Sequence, residues 1–354
     1  MTKLKPGVNT GLLIEKRETD YELGGNSPIV HEARNLTRNW RPFRSRPERQ
    51  GYARFDAFDC VSQASTNSWE AQANWMLANS LWPVDALKFW NEKGYIVNGK
   101  FEISERHIAK ESGTTRAGNS FQRVLDALRK VGVVPESLWP STLDPNIDKI
   151  DWDEFYKEIP QELKDLAKES LKYYSLLYES IARGSQKNRA EDIRKALEHA
   201  PILLGIATCS PWYDRVPVCD SQPNHAVLND CFEKSYYIWD SYEKFEKFLE
   251  PGYIIHFAYK AVLYPVKRNE PIKKPLFQDI NNLRYGKTNE DVKVLQRLLN
   301  VVDTPTGYYG GRTQRFVYDF QRLNNVASLL EVLFVRGRWV GQKTLAKLEE
   351  LYNK

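Results

Sequence analysis

DCVSQASTNSWEAQANWML, residues 59–77, runs without a glycine or a proline. Its apolar residues Ala64, Trp69, Ala71, Trp75 and Met76 recur at helical intervals, which predicts a helix beginning at or near Cys60. A cysteine in the first turn of a helix is chemically poised. Unpaired backbone N–H groups and the positive end of the helix dipole favour thiolate over thiol there.

Downstream of this stretch the pattern stays helical, with helices expected at 82–93 (Pro83 in the first turn), 104–112 and 120–131. Residues 151–200 alternate acidic and basic with Leu and Tyr at helical spacing, and predict two or three amphipathic helices. The texture then changes. PILLGIATC, HAVLNDCF, SYYIWDSY and GYIIHFAYKAVLYPV are short, β-branched and aromatic runs between polar or Pro/Gly breaks, the signature of antiparallel strands. Upstream, residues 1–50 are polar and broken by Pro and Gly, and read as an extended arm, with the basic stretch Arg38 to Arg49 solvated. KRNEPIKKPLF, 267–277, has the charge and prolines of a linker, and 278–354 predicts a small helical domain. The fold class is α+β over 51–266, a helical lobe followed by a sheet lobe, with an all-α module behind it.

The 354 residues, 42% apolar and 27% charged, suit a globular protein with a sizeable core, which most of the ten Trp and nineteen Tyr are expected to fill. A net charge of +5 favours an anionic surface. With no RNP, zinc-finger or Gly-rich phosphate motif, neither a nucleic-acid partner nor a cofactor is expected. No run reaches the roughly 20 apolar residues of a membrane span. GVNTGLLI near the start is too short and too polar for an export segment, which implies synthesis and retention in a cytoplasm. Four cysteines are too few for a disulfide scaffold, and Cys209, Cys219 and Cys231 match no zinc spacing. A Cys209–Cys219 bridge fits only a protein that ends up outside the cell.

A nucleophilic Cys60 needs a base and a group to orient it. PNHAV places His225 at the start of one strand and YYIWDSY places Asp240 on the next, so a hairpin brings the carboxylate beside the imidazole, expected at Nδ1–H. This order resembles the papain-like cysteine peptidases, in DCVSQA (59–64), NHAV (224–227), WDSY (239–242), FEISERHIAKESGT (101–114), VGVVPESLWP (131–140) and AEDIRKALEHAPILLGIA (190–207). The resemblance implies a two-lobed fold and a Cys60–His225–Asp240 triad. Asp240 stands where the family has Asn, and Tyr242 where it has Trp. Six residues before the nucleophile, where the family's Gln donates to the oxyanion, this chain has Arg54. Either Arg54 donates instead, or a local insertion brings Gln50 to that place.

LRYGKTNEDVKVLQRLLN carries Val292, Leu295, Leu298 and Leu299 on one helical face after an Asn289 or Thr288 cap; two more helical segments follow Gly turns. Val292, Leu295-Gln296, Gly307 to Gly310 with Thr313, Phe320-Gln321, and Gly341 with Thr344 resemble the peptidoglycan-binding three-helix domain. Asn289 replaces the commoner Gly, Gly337 and Gly341 are one residue too far apart, and 326–335 is an apolar insertion. Together the two resemblances imply a monomeric, phage endolysin-like cysteine endopeptidase, released from the host cytoplasm to cut peptide bonds in bacterial peptidoglycan. The same residues also allow an N-acetylmuramoyl-L-alanine amidase, a wall-docked general peptidase, or an inactive wall-binding protein.

Overall fold

A computed structural model of the chain describes residues 11–13, 34–142, 144–182, 190–209, 214–219, 221–233, 235–242, 244–266, 277, 280–301, 304–327 and 334–352. Most of the expected arm (1–10 and 14–33), nearly all of the expected linker and the middle of the 326–335 insertion lie outside the described residues. The chain divides into two compact units, Met1–Val266 and Lys267–Lys354.

The first unit opens with α1 (Cys60–Ala78), α2 (Val84–Glu92), a small ladder of β1 (Ile96–Val97) and β2 (Lys100–Phe101), α3 (Glu105–Glu111), α4 (Phe121–Lys130), α5 (Trp152–Phe155) and α6 (Gln161–Ser170). A larger sheet follows: β3 (Tyr174–Ala182), then α7 (Ala190–Ala196), β4 (Ile202–Ile206), β5 (Arg215–Val216), β6 (His225–Phe232), β7 (Tyr236–Trp239), β8 (Glu246–Leu249) and β9 (Phe257–Pro265). Its strands are ordered β3-β9-β4-β6-β7-β8-β5, antiparallel except for the β5–β8 pair. The first unit is thus mixed α+β, and among its described residues no helix is long and apolar enough to cross a membrane.

Helix α1 is buried around most of its circumference, yet it is rich in polar residues. Those residues fasten it on two sides, because a buried amide left without partners is costly. Gln72 clasps β9, donating to the Ala261 carbonyl (2.9 Å) and accepting from Leu263 N–H (3.0 Å). Asn74 donates to the Phe43 carbonyl (2.9 Å) and accepts from Phe101 N–H (2.7 Å), while Glu70 accepts from Ile103 N–H (2.7 Å). Trp69 packs edge-on against Trp90, Phe101 and Tyr174.

Two expectations are corrected here. Residues 174–182 form a strand, not a helix. Tyr174 and Leu176 are buried while Ser175 and Leu177 are exposed, a period of two that the charged flanks obscured. Arg38 to Arg49 is not a solvated arm. Trp40 is fully buried with its indole N–H on the Leu197 carbonyl (2.7 Å), and Arg44 and Arg46 pair with Asp230 and Glu48.

The second unit contains the short 3-10 turn Ile280–Asn282, then α8 (Glu290–Leu298), α9 (Gly311–Leu323) and α10 (Gln342–Tyr352). Asn289 caps α8, accepting from Val292 N–H at 2.9 Å. The core holds Leu283, Val292, Leu295, Tyr309, Val317, Val340 and Leu348. An internal repeat is visible in its polar bonds. Gln296 Nε2 donates to the Tyr308 carbonyl (2.9 Å) and Thr313 Oγ1 (3.0 Å), and Gln321 Nε2 donates to the Trp339 carbonyl (3.0 Å) and Thr344 Oγ1 (3.1 Å). Gly337 permits the second turn: at φ +72° a side chain there would strike the Gln314 carbonyl. Gln296 also accepts from Gly307 N–H (2.9 Å), so its amide closes the first turn completely. Gln296→Ala is expected to destabilise this unit by roughly 1–3 kcal/mol through the backbone groups it orphans, measured by urea unfolding.

Candidate active site

Residues 50–58 shape the entry to α1. Tyr52 N–H bonds the Phe55 carbonyl (2.9 Å) and Ala57 N–H bonds the Gln50 carbonyl (2.9 Å), a closed loop that folds the added residues away and returns Gln50 towards the sheet. Gln50 is fully buried. Its backbone N–H meets the Ser241 carbonyl (3.1 Å), its Oε1 accepts from Ser241 Oγ (2.8 Å), and its Nε2 reaches Tyr242 Oη (2.6 Å) and Asp56 Oδ1 (3.0 Å). Arg54 lies in the same loop, exposed, with its guanidinium on the Lys149 carbonyl. Of the two side chains considered for the oxyanion, the loop buries Gln50 beside the 240–242 segment and leaves Arg54 at the surface.

His225 begins β6 and Asp240 follows β7, and the antiparallel β6–β7 pair sets them side by side. The bond between them runs from His225 Nε2 to Asp240 Oδ1, 2.7 Å, with both side chains fully buried. The sequence reading placed Nδ1 in this bond. In the fold the far edge of the ring meets the neighbouring strand, so Nε2 carries the proton towards Asp240 and Nδ1 is the basic nitrogen. Tyr242 packs its ring 5.5 Å from the imidazole and donates to Asp56 Oδ2 (2.6 Å). Asp240 Oδ2 accepts from Lys247 Nζ (2.9 Å), a buried ammonium the sequence reading did not single out. Burial pushes the Asp240 carboxyl up, but Lys247 and His225 outweigh it and hold the group well below the usual range.

Cys60 is fully buried at the start of α1, which packs on β6, and the backbone of Ala226, the residue after His225, acts on its thiol so as to favour the thiolate. The helix start alone predicted a low thiol pKa. Instead, burial pushes the thiol well above its ordinary value, against the Ala226 backbone, with Asp59, Asp56 and Asp240 adding to the rise. The thiol is therefore held protonated in this arrangement. Asp59, fully buried, is itself pushed up to about 8, by burial first and then by Asp56.

A segment from far upstream packs into the cluster that holds the thiol. Asn119 N–H bonds the Gly11 carbonyl (2.8 Å) and Leu13 N–H bonds the Asn119 carbonyl (2.6 Å). Leu12, 5% exposed, joins the buried cluster that contains Cys60, Ala226 and Phe121. Its Cδ2 would lie 3.0 Å from a Cβ placed on Gly205 of β4, and Gly11 (φ +110°) lies so close to the Phe58 carbonyl that no side chain fits. An extended arm over 1–50 leaves open where it touches the domain, and spacing does not point to Leu12. Elsewhere, Glu48, Glu105 and Glu136 bring carboxylate oxygens within 4.8 Å of one another. The Ser141 hydroxyl reaches all three, and Arg46 pairs with Glu48, so polar side chains already bridge the cluster.

No protein-family model and no curated protein matches the chain. Among solved structures, xylellain, a cysteine protease from Xylella fastidiosa, aligns at 14% identity over 72% of this chain and 100% of its own, with a TM-score of 0.40. A Carica candamarcensis cysteine protease aligns at 12% identity over 65% and 98%, TM-score 0.39. Digestive procathepsin L 3 of Tenebrio molitor aligns at 15% identity over 65% and 69%, TM-score 0.35. Likenesses this remote carry no inference about activity.

Two outcomes follow from the geometry. Asp59 binds its proton more tightly folded than unfolded, so its contribution to stability is complete below about pH 4 and is lost as the pH rises through about 8. Thermal unfolding followed from pH 5 to 9 is expected to show a falling Tm that Asp59→Asn flattens. Leu12→Asp places an unpaired carboxylate in an apolar cluster, which costs well over about 1.4 kcal/mol, so the segment leaves. Alkylation of Cys60 by iodoacetamide at pH 8 is expected to accelerate more than about tenfold, read by peptide mass mapping.

Proposed function

We propose that the chain is a papain-like cysteine peptidase directed to peptide bonds of bacterial peptidoglycan, an endolysin-type enzyme. The observation that carries the peptidase reading is the meeting of α1 and β6: Cys60 against the Ala226 backbone, next to a His225 oriented by Asp240. Once water or substrate reaches the thiol, the burial that keeps it protonated is relieved. Its proton passes to His225 Nδ1, giving a thiolate–imidazolium pair. The sulfur attacks the scissile carbonyl carbon, and the oxygen takes the charge. The Cys60 N–H at the helix start is the backbone donor assigned to that oxyanion. Gln50, preferred to Arg54 because it is buried beside the 240–242 segment, joins it by exchanging one of its Nε2 bonds to Tyr242 and Asp56 for the oxyanion. His225 then protonates the leaving amine as the C–N bond breaks, leaving a thioester. A water deprotonated by His225 hydrolyses it and frees the thiol.

The wall assignment draws on the second unit, whose Gln296–Thr313 and Gln321–Thr344 bonds repeat one design in two turns, in keeping with the resemblance to the peptidoglycan-binding domain. Residues 278–354 are assigned to wall attachment and 51–266 to catalysis. Cys209 and Cys219 are joined as a disulfide (Cα–Cα 5.8 Å), a bond that persists outside a reducing cytoplasm and supports action on the wall after release. Incubation with purified peptidoglycan, followed by mass spectrometry of the soluble products, is expected to show new stem-peptide or cross-bridge termini. Free lactyl ends on muramic acid would instead identify the amidase, and digestion of casein alone a general peptidase. Cys60→Ala is expected to lower product release by at least about 10³-fold while wall binding persists. Turnover that survives in that variant refutes the nucleophile.

A further inference from the structure

Asp240 stands where the resembling family carries a neutral amide, and the structure gives its carboxylate a second buried partner. Lys247 lies on β8 with its side chain 1% exposed; its Nζ is 2.9 Å from Asp240 Oδ2 and 3.1 Å from the Tyr242 carbonyl. Asp240 Oδ1 meets His225 Nε2 at 2.7 Å. One carboxylate oxygen thus serves the imidazole and the other an ammonium. The hairpin between β7 and β8 enforces this, pairing Ile238 with Lys247 and bonding Asp240 N–H to the Phe245 carbonyl (2.8 Å).

We propose that Lys247 is a positioning residue of the peptidase site, whose ammonium balances Asp240 so that the buried pair does for His225 what one uncharged acceptor does elsewhere. The inference rests on the peptidase reading above. A buried carboxylate alone would hold a proton on the imidazole too tightly, since an unbalanced charge at this range moves a titration by one to three pH units. A buried ammonium alone would repel that proton. Together they leave the geometry of the hydrogen bond and cancel most of its charge. Among the described residues, the ionisable groups that act on His225, Asp240 and Cys60 include Asp59 before α1, Asp56 in the preceding loop, and Tyr242. Glu246, the neighbour of Lys247 on β8, is engaged by Arg41 and Arg44.

The test is the titration of His225 in the full chain, followed by NMR of protein carrying ¹³C-labelled histidine, with the resonance assigned by its loss in His225→Ala. Lys247→Met is expected to raise the midpoint by about one pH unit and Asp240→Asn to lower it by about as much. The double variant Asp240→Asn/Lys247→Met is expected to return to within a few tenths of the parent, and Lys247→Arg to stay with the parent. Shifts of the two single variants in the same direction, or a double variant that does not return, overturn the proposal. If Lys247→Met does not fold, the comparison of Asp240→Asn with the double variant decides the matter alone. Cys60→Ala separates the two readings. A His225 midpoint that ignores loss of the thiol defeats the peptidase reading and leaves the balance between Lys247 and Asp240 to be judged on its own variants.

Discussion

The constraint on which the rest depends is the burial of a polar helix. Helix α1 runs between the sheet and the helical side of the first unit, and its Gln72, Asn74 and Glu70 spend their hydrogen bonds on backbone groups of both. Each bond contributes about 1 kcal/mol, and each orphaned partner would cost more, so the helix has little freedom to slide or rotate. Its first residue is Cys60. Fixing the helix fixes the sulfur against the start of β6, and β6 fixes His225. The geometry of the candidate site is thus inherited from a set of amide-to-backbone bonds that begin three turns away.

Charge is the second theme of the site. Asp56, Asp59 and Asp240 surround one thiol, an arrangement hostile to a thiolate, and burial makes it more so. The structure relieves the conflict in different ways. Asp59 keeps its proton up to about pH 8, while Asp240 is held ionised by Lys247 and His225, and Asp56 is bonded by Tyr242 and Gln50. Tyr242 links these solutions, its ring on the imidazole and its hydroxyl between Asp56 and Gln50. Leu12 is seated in the same buried cluster as the thiol.

Much of this was legible in local sequence. The helix from Cys60, the helices near 84–92, 105–111 and 121–130, and the strand begun by His225 follow from periodicity and breakers, as does β7, though Asp240 lies one residue beyond its end and not on it. What escaped depends on contacts between distant segments. β3 alternates only over its first four residues; from Glu179, which meets a buried Lys260 across the sheet, to Ile181 it is buried throughout, so charge and the short alternation together hid it. Trp40 and Arg44 looked like a solvated arm because their partners, Leu197 and Asp230, lie far along the chain. The orienting nitrogen of His225 was misassigned because spacing gives the neighbour of a ring but not which edge it meets. Lys247 is invisible for a related reason: a lysine in a short strand reads as surface until the hairpin turns it inward beside a carboxylate.

The central claim is that Cys60 and His225 form one reactive unit once the thiol is accessible. Labelling of full-length Leu12→Asp protein with a peptide epoxide, followed by peptide mass mapping, tests it most directly. The account predicts that the label falls on Cys60, that Cys231 stays unmodified, and that His225→Ala in the same background lowers the Cys60 rate at pH 6 by at least about tenfold, as thiolate is lost. Labelling of Cys60 at an unchanged rate without His225, or labelling that falls on Cys231 first, would contradict it.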